Sequence, residues 1–295
     1  MTGRILVAGA AGRLGASIVE AFAGCEVIAQ TRATLDITDP DAVRRVVAAA
    51  APAVIINCAA FNDVDGAEDR PADVLAVNAF AVRSLARAAE RCGATFVHFG
   101  TDFVFDGTAT EPYGEEDRTS PRSVYALSKL LGEWFALDAP RGFVLRIESV
   151  FGAPAGWQGR AGSLDVIVDG LEHGREVRVF TDRVVSPSYA LDVSLAVRHL
   201  VETNAPPGLY HCVNSGHATW YDVAEASARL LGVRPRLQPV TLEQVALKAP
   251  RPRFCALANR KLAATGFTMP AWDDALRRWL AGRNARRDNI GMVHG

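Results

Sequence analysis

A short apolar run near the N-terminus, ending in evenly spaced glycines, limits the architectures open to the rest of the chain. Arg4-Ile5-Leu6-Val7-Ala8 reads as a buried strand. Gly9-Ala10-Ala11-Gly12-Arg13-Leu14-Gly15 then turns directly into a helix with Ile18, Val19 and Phe22 on its apolar side. Glycines suit a sharp turn where backbone must come close to a pyrophosphate. The helix beyond offers that anion free N–H groups and the positive end of its dipole. The spacing is G-x-x-G-x-x-G, not the commoner G-x-G-x-x-G, so position carries the argument: the glycines follow a strand and open an amphipathic helix. The competing reading is a glycine-rich turn with no ligand.

The segments that follow alternate. Cys25–Gln30 reads as a strand, Pro40–Ala51 as a helix opened by Asp39, and Ala53–Cys58 as a strand. Ala72–Cys92 reads as one long helix, Thr95–Gly100 as a strand, the region around Tyr125 as a helix, and Gly142–Val150 as a strand. Such alternation predicts an α/β fold with a Rossmann-like, doubly wound parallel sheet, in which ligands lie at the carboxyl ends of the strands. Gly9, Ala59, Thr101 and Ser149 fall just past strand ends and converge on one cleft. Beyond residue 150 the pattern loosens into a smaller α/β substrate-binding domain. Residues 152–162 read as a loop, Asp165–Glu172, Ala190–Glu202 and Trp220–Leu231 as helices, and Glu176–Phe180 and Leu209–Val213 as strands. The expected division is a dinucleotide-binding domain of residues 1–150 with parts of about 186–205 and 258–282, a substrate-binding region of about 151–185 and 206–257, and a polar tail at 283–295 after a helix over Trp272–Leu280.

At 295 residues and 49% hydrophobic content the chain is long enough to bury the core that such a division requires. A net charge of −1 without a basic tract argues against nucleic acid as a partner. No apolar run approaches the ~18 residues of a membrane span. Five scattered cysteines without a C-x-x-C read as buried thiols of a reducing compartment, which predicts a cytoplasmic protein. None of the six histidines is spaced as a ligand pair on one helix; His211 and His217 read as structural, and no metal site is expected.

Tyr125 and Lys129, four residues apart, share a helix face if the start signals Ser120, Pro121 and Ser123 are read correctly. A free tyrosine, with a pKa of roughly 10, is a reluctant acid–base at neutral pH, and a neighbouring cation would lower it. Alone the pair is a common accident. Beside a redox cofactor, and with Thr101, it describes a proton-donating site for a carbonyl.

With these motifs placed, the sequence resembles the extended short-chain dehydrogenase/reductase superfamily, and within it the dTDP-4-dehydrorhamnose reductase family. The resemblance is carried by the glycine turn, Leu35-Asp36-Ile37-Thr38-Asp39, Asn57-Cys58-Ala59-Ala60-Phe61, Val77-Asn78-Ala79, Thr101-Asp102-Phe103-Val104-Phe105-Asp106-Gly107, the run from Tyr125 to Glu133, and late segments such as Gly208-Leu209-Tyr210-His211 and Arg251-Pro252. It implies hydride delivery from a nicotinamide to the C4 carbonyl of a nucleotide-linked 4-keto-6-deoxyhexose, with Tyr125 protonating the resulting alkoxide. Thr101 would orient the carbonyl, Lys129 would hold the nicotinamide ribose and depress the Tyr125 pKa, and Asn78 would support the lysine. Gly9, Gly12, Arg13, Leu14, Gly15, Asp36, Ile37, Ala59, Ala60, Phe61 and Phe99 would line the cofactor path. Asp102, Phe103, Ser149 and Arg251 would join Thr101 and Tyr125 on the substrate. Arg251 and Arg253 read either as a clamp for the nucleotide diphosphate or as exposed cations on a loop. A homodimer is the family expectation.

Gln30-Thr31-Arg32 follows the second strand without the acidic residue usual for NAD, so Arg32 points to NADPH, with NADH second. Other positions depart from the family. Arg146-Ile147-Glu148-Ser149-Val150-Phe151-Gly152 stands where relatives commonly carry Arg-Thr-Ser-Trp-Val-Tyr-Gly, Asp182-Arg183 stands for Asp-Gln, and Gly100 stands for a serine. A 4,6-dehydratase would need Glu where Phe103 follows Asp102. An epimerase, or a non-catalytic subunit resembling the regulatory subunit of methionine adenosyltransferase, are the remaining rivals.

Overall fold

The structure, a computed structural model, describes residues 3–291, with side chains described through Arg283. In chain order the elements are β1 (Ile5–Ala8), α1 (Arg13–Ala21), β2 (Val27–Gln30), α2 (Pro40–Ala50), β3 (Val54–Asn57), α3 (Pro71–Leu75), α4 (Ala81–Cys92), β4 (Thr95–Thr101), α5 (Val124–Leu137) and β5 (Gly142–Ile147). They continue with β6 (Val150–Phe151), α6 (Ser163–Glu172), β7 (Glu176–Phe180), β8 (Val184–Val185), β9 (Ser188–Tyr189), α7 (Ala190–Glu202), β10 (Gly208–His211), β11 (Ala218–Thr219), α8 (Trp220–Leu231), β12 (Arg236–Val240), α9 (Arg260–Ala263) and α10 (Trp272–Gly291).

Six strands form one parallel sheet in the order β10-β5-β4-β3-β1-β2, so the chain reverses direction of travel across the sheet between β1 and β3. Every residue of β1, β3 and β4 is buried, as expected where helices cover both faces of a parallel sheet. Alternate residues of each strand serve opposite faces. Ile5, Val7, Val97 and Phe99 pack with Ile18 and Phe22 of α1 and Val193 and Val197 of α7. Leu6, Ile55, Phe96 and Val144 pack with Val43 and Val47 of α2 and Val82 and Leu85 of α4. This doubly wound arrangement is the predicted fold class.

A third cluster lies apart from the sheet. Leu164, Ile167 and Val168 of α6 meet Val177 and Val179 of β7, Trp220 and Val223 of α8, and Leu276 and Trp279 of α10. Of the range 258–282, parts of which the sequence assigns to the sheet domain, Leu262 and Met269 pack with the sheet core, while the last helix packs with the smaller α/β region. It also continues past Leu280 to Gly291, over part of the expected tail; residues 292–295 lie outside the described ones.

One local departure has a clear cause. The segment expected as a single helix over Ala72–Cys92 is broken by a π-helical turn at Ala76–Phe80, with Asn78 buried inside it. Asn78 Nδ2 donates to Phe61 O (3.1 Å) and to Ser128 Oγ (3.0 Å), and its Oδ1 accepts from Phe61 N (2.8 Å). Those three bonds fasten the turn to a loop and to α5. Widened turns of this kind are frequent at functional sites.

Candidate active site

The fold gathers the sequence-predicted groups at the carboxyl ends of β1, β3 and β4. Ser123 caps α5 by accepting from Ala126 N, which sets the helix phase that buries Tyr125 and Lys129 on one face. Thr101 ends β4; its Oγ1 donates to Asp102 Oδ1 (3.0 Å), accepts from Phe103 N (3.3 Å) and meets the Tyr125 phenol. Phe103 packs edge-on against Tyr125, with ring centroids 5.6 Å apart. Lys129 Nζ donates to Phe99 O (2.6 Å), so Phe99 contributes its backbone to the site while its ring stays in the core.

The electrostatics correct one expectation. Burial, and after it the Asp102 carboxylate, push the Tyr125 phenol above its ordinary range; contact with Thr101 offsets part of this, and Glu133 adds a little. Burial and Asp102 set the sign, against the lowering expected from Lys129. The lysine is itself lowered by burial to about 8, against the pull of Glu133 and Cys58. Tyr125 is thus held as a protonated phenol. Asn78 likewise reaches Ser128 and Phe61, not Lys129 directly, and Ser128 Oγ donates onward to Tyr125 O (2.7 Å).

Around the glycine turn, Gly9 adopts φ +76°, and a Cβ there would lie 2.6 Å from Ala59 N; a Cβ on Gly15 would lie 2.2 Å from Gly9 O. Side chains would fill this cradle, and Gly12 begins α1 with no capping side chain and no acidic residue in the first turn. Such a donor set fits a dinucleotide pyrophosphate. Arg13 stacks over Trp157 (4.8 Å) and pairs with Asp165, while Trp157 Nε1 donates to Ala11 O (3.0 Å), so the 152–162 loop folds over the turn. Leu14 packs toward the core, Ala59 and Ala60 are half-buried, and Phe61 carries Arg70 over its ring. Arg32 is exposed at the end of β2. Asp36 Oδ1 accepts from Thr38 N and Oγ1, and Ile37 is buried in the core, so both mainly shape their own turn.

Several contributors were missed by sequence reasoning. Arg146 on β5 and Glu133 on α5 form a buried ion pair, with Nη2 to Oε2 at 2.8 Å and Nε 3.1 Å from each carboxylate oxygen. Their contact explains Gly100: a Cβ at that position would lie 2.1 Å from Glu133 Oε1. His211 is structural, as read. Its pKa falls to about 3 through burial and the Arg146 charge, with Nδ1 donating to the carbonyls of Tyr113 and Ala258. Of the cysteines, Cys92 is exposed, not buried.

On the substrate side, Arg183 and Arg251 both lie over the Phe103 ring, at 5.3 and 5.9 Å, and Arg251 is fixed by Asp65 (3.0 Å). Arg253 turns away to Glu243 (2.6 Å), so the pair of cations at the site is Arg183 and Arg251. Ser149 sits half-buried between β5 and β6 at φ +46°, a left-handed conformation uncommon for a serine. Behind Thr101, Asp102 and Glu148 are each 2% exposed and lie beside Cys255. Burial raises both carboxyls; Arg183 opposes this in both, and the Asp102 charge drives Glu148 higher. A charged residue at each of two positions of departure, Glu148 and Arg183, was the available signal for this cluster.

Comparison with known proteins agrees with this geometry. Residues 3–284 match the family described as the RmlD substrate binding domain. A dTDP-4-dehydrorhamnose reductase of Mycobacterium tuberculosis is 37% identical over 287 residues, covering 94% of this chain and 92% of its own length. A dTDP-4-keto-6-deoxy-D-glucose reductase of Streptomyces niveus is 37% identical over 282 residues, covering 94% and 96%. The crystal structure of a dTDP-4-dehydrorhamnose reductase from Bacillus anthracis in complex with NADP superposes with a TM-score of 0.90 at 28% identity, covering 96% of this chain and 100% of that one. A nearly full-length family match, relatives above one-third identity and a shared fold make this chain a member of the RmlD substrate-binding-domain family.

Proposed function

We infer that the chain is an NADPH-dependent reductase that converts the C4 ketone of a nucleotide-linked 4-keto-6-deoxyhexose into an alcohol. The observation that carries this reading is the meeting of Thr101, Tyr125 and Lys129 at the end of β4, across from the glycine turn of β1. The relatives named as dTDP-4-dehydrorhamnose and dTDP-4-keto-6-deoxy-D-glucose reductases supply the substrate class.

The Gly9, Gly12 and Gly15 cradle would hold the pyrophosphate, Arg32 a ribose phosphate and Lys129 the nicotinamide ribose. When bound, the reduced dinucleotide supplies hydride. Tyr125, kept protonated by burial, donates its proton to the alkoxide formed at C4, a step worth typically ~10²–10⁴-fold. Thr101, held by Asp102 beside the phenol, shapes the place where the carbonyl would sit, and the π-helical turn fixes α5 so that phenol and ammonium keep their spacing. Arg183 and Arg251 offer paired cations to the substrate diphosphate, with Phe103 between them.

Exposed Leu127 and Trp134 on α5, with Phe80 beside them, favour a homodimer through that apolar stripe. No described helix is long and apolar enough to cross a membrane, and with the scattered free cysteines we place the enzyme in the cytoplasm. The test is NADPH oxidation with dTDP-4-dehydrorhamnose and dTDP-4-keto-6-deoxy-D-glucose, with Tyr125→Phe as control. Tight NADPH binding without turnover on either sugar would favour the regulatory-subunit reading instead.

A further inference from the structure

Glu148 and Arg183 are far apart in sequence and meet around Asp102. A carboxylate oxygen of Asp102, one of Glu148 and the Cys255 sulfur lie within 4.8 Å of one another. All three residues are buried; Glu148 Oε1 has no hydrogen-bond partner, and Asp102 Oδ2 has none beyond the neighbouring Cys255 thiol. Their other oxygens are committed: Asp102 Oδ1 accepts from Thr101 (3.0 Å) and Glu148 Oε2 from Ser186 N (2.6 Å). Two ionised carboxylates this close and this dry are not stable together, and one proton retained by the pair removes one of the two buried charges.

We propose that Asp102 and Glu148 share a single proton at neutral pH, carried by Glu148, and that this pair orients the Thr101 hydroxyl. Glu148 is then a positioning residue, acting on the reacting groups only through Asp102. The inference rests on the reductase reading for its catalytic consequence, but the proton itself does not. The charged and titratable groups facing Glu148 are Asp102 after β4, Arg183 before β8 and Cys255; Tyr125 and Glu133 of α5 stand beyond Asp102 and Thr101. Arg183 lies 3.8 Å from the Cys255 sulfur, supplying the one positive charge that balances the singly ionised pair and opposing a metal cation among the same ligands. With Glu148 protonated, Asp102 keeps a single negative charge and accepts from Thr101. Loss of the proton would place a second negative charge near Tyr125 and make the phenol a poorer acid.

The experiment begins with infrared spectroscopy of the whole protein without substrate. The wild type is expected to show the carbonyl band of a neutral carboxylic acid at pH 7, and Glu148→Gln to lack it. A folded state that holds this proton more tightly than the unfolded state loses stability as pH rises through the pair's ionisation. The wild-type melting temperature should therefore decline more than that of Glu148→Gln as pH rises from the ordinary carboxyl value of 4.5 toward the raised folded-state one. In turnover, Glu148→Ala is expected to lose about 10²-fold in kcat through misplacement of Thr101, and Glu148→Gln to recover most of that loss. No neutral-carboxyl band in the wild type, a band that persists in Glu148→Gln, or a stoichiometric divalent metal in the purified protein would each overturn the proposal. The infrared result needs no turnover, so its failure is separable from failure of the reductase reading.

Discussion

Gly100 packs against the buried Glu133–Arg146 pair, and the structure makes its replacement a sharp test. A Cβ on residue 100 would fall 2.1 Å from Glu133 Oε1 and 3.0 Å from Arg146 Cγ. Neither partner can swing into water, because the Glu133 and Arg146 side chains are only 1% and 4% exposed. Accommodating the methyl group means moving Oε1 by about an ångström, enough to stretch the Arg146 Nε contact at 3.1 Å beyond hydrogen-bond range. Overpacking costs about 1–3 kcal/mol, and breaking a buried pair outright costs about 3–5, so Gly100→Ala or Gly100→Ser should destabilise by about 2–4 kcal/mol. At about 2 °C per kcal/mol for a chain of this size, the melting temperature should drop by about 4–8 °C. Calorimetry of the wild type, Gly100→Ala, Glu133→Ala and the double variant checks the cause as well as the size. The double variant should cost less than the sum of the singles, since the methyl group and the carboxylate compete for one space. A Gly100→Ala protein that melts within about 1 °C of the wild type would refute the packing argument.

Other outcomes follow from the same geometry. Tyr125→Phe should lower kcat by about 10²–10⁴-fold while NADPH affinity, read by fluorescence titration, stays close to wild type. Asn78→Ala leaves Phe61 N, Phe61 O and Ser128 Oγ without their shared partner and should cost about 2–3 kcal/mol in denaturant unfolding, with a matching fall in turnover. Arg32→Asp should reverse the preference for NADPH over NADH; equal kcat/KM with both cofactors in the wild type would remove Arg32 from the site. Lys129 has a folded-state pKa of about 8 against an ordinary 10.5, so the folded state binds its proton less readily. Stability should therefore rise with pH between about 8 and 10.5, and a Lys129→Met protein should lack that rise in a melting series.

What the sequence made legible was local. The helix read over Trp220–Leu231 is the one observed, and there Thr219 and Asp222 form a capping box and Gly232 ends the helix in a left-handed conformation. The strand ends at Gly9 and Thr101, and the Tyr125–Lys129 face, followed from periodicity and caps. The π-helical turn at Asn78 did not, because its cause is a set of bonds to Phe61 and Ser128. Two-residue strands such as β8 and β11 form through pairing with distant segments and carry no periodic signal. The electrostatics were hidden for the same reason. A lysine one turn from a tyrosine suggests a lowered phenol, but Lys129 donates to Phe99 O, and burial with Asp102 decides the sign. Arg253 looked as available as Arg251 until Glu243 was placed beside it.

The most direct test of the central claim follows the label from deuterated NADPH into the sugar. With a dTDP-linked 4-keto-6-deoxyhexose, the expected result is one deuterium at C4 of the product, formed by the wild type and almost absent with Tyr125→Phe. Deuterium at another carbon, or cofactor bound without any labelled sugar, would contradict the assignment of this site as a C4 ketoreductase.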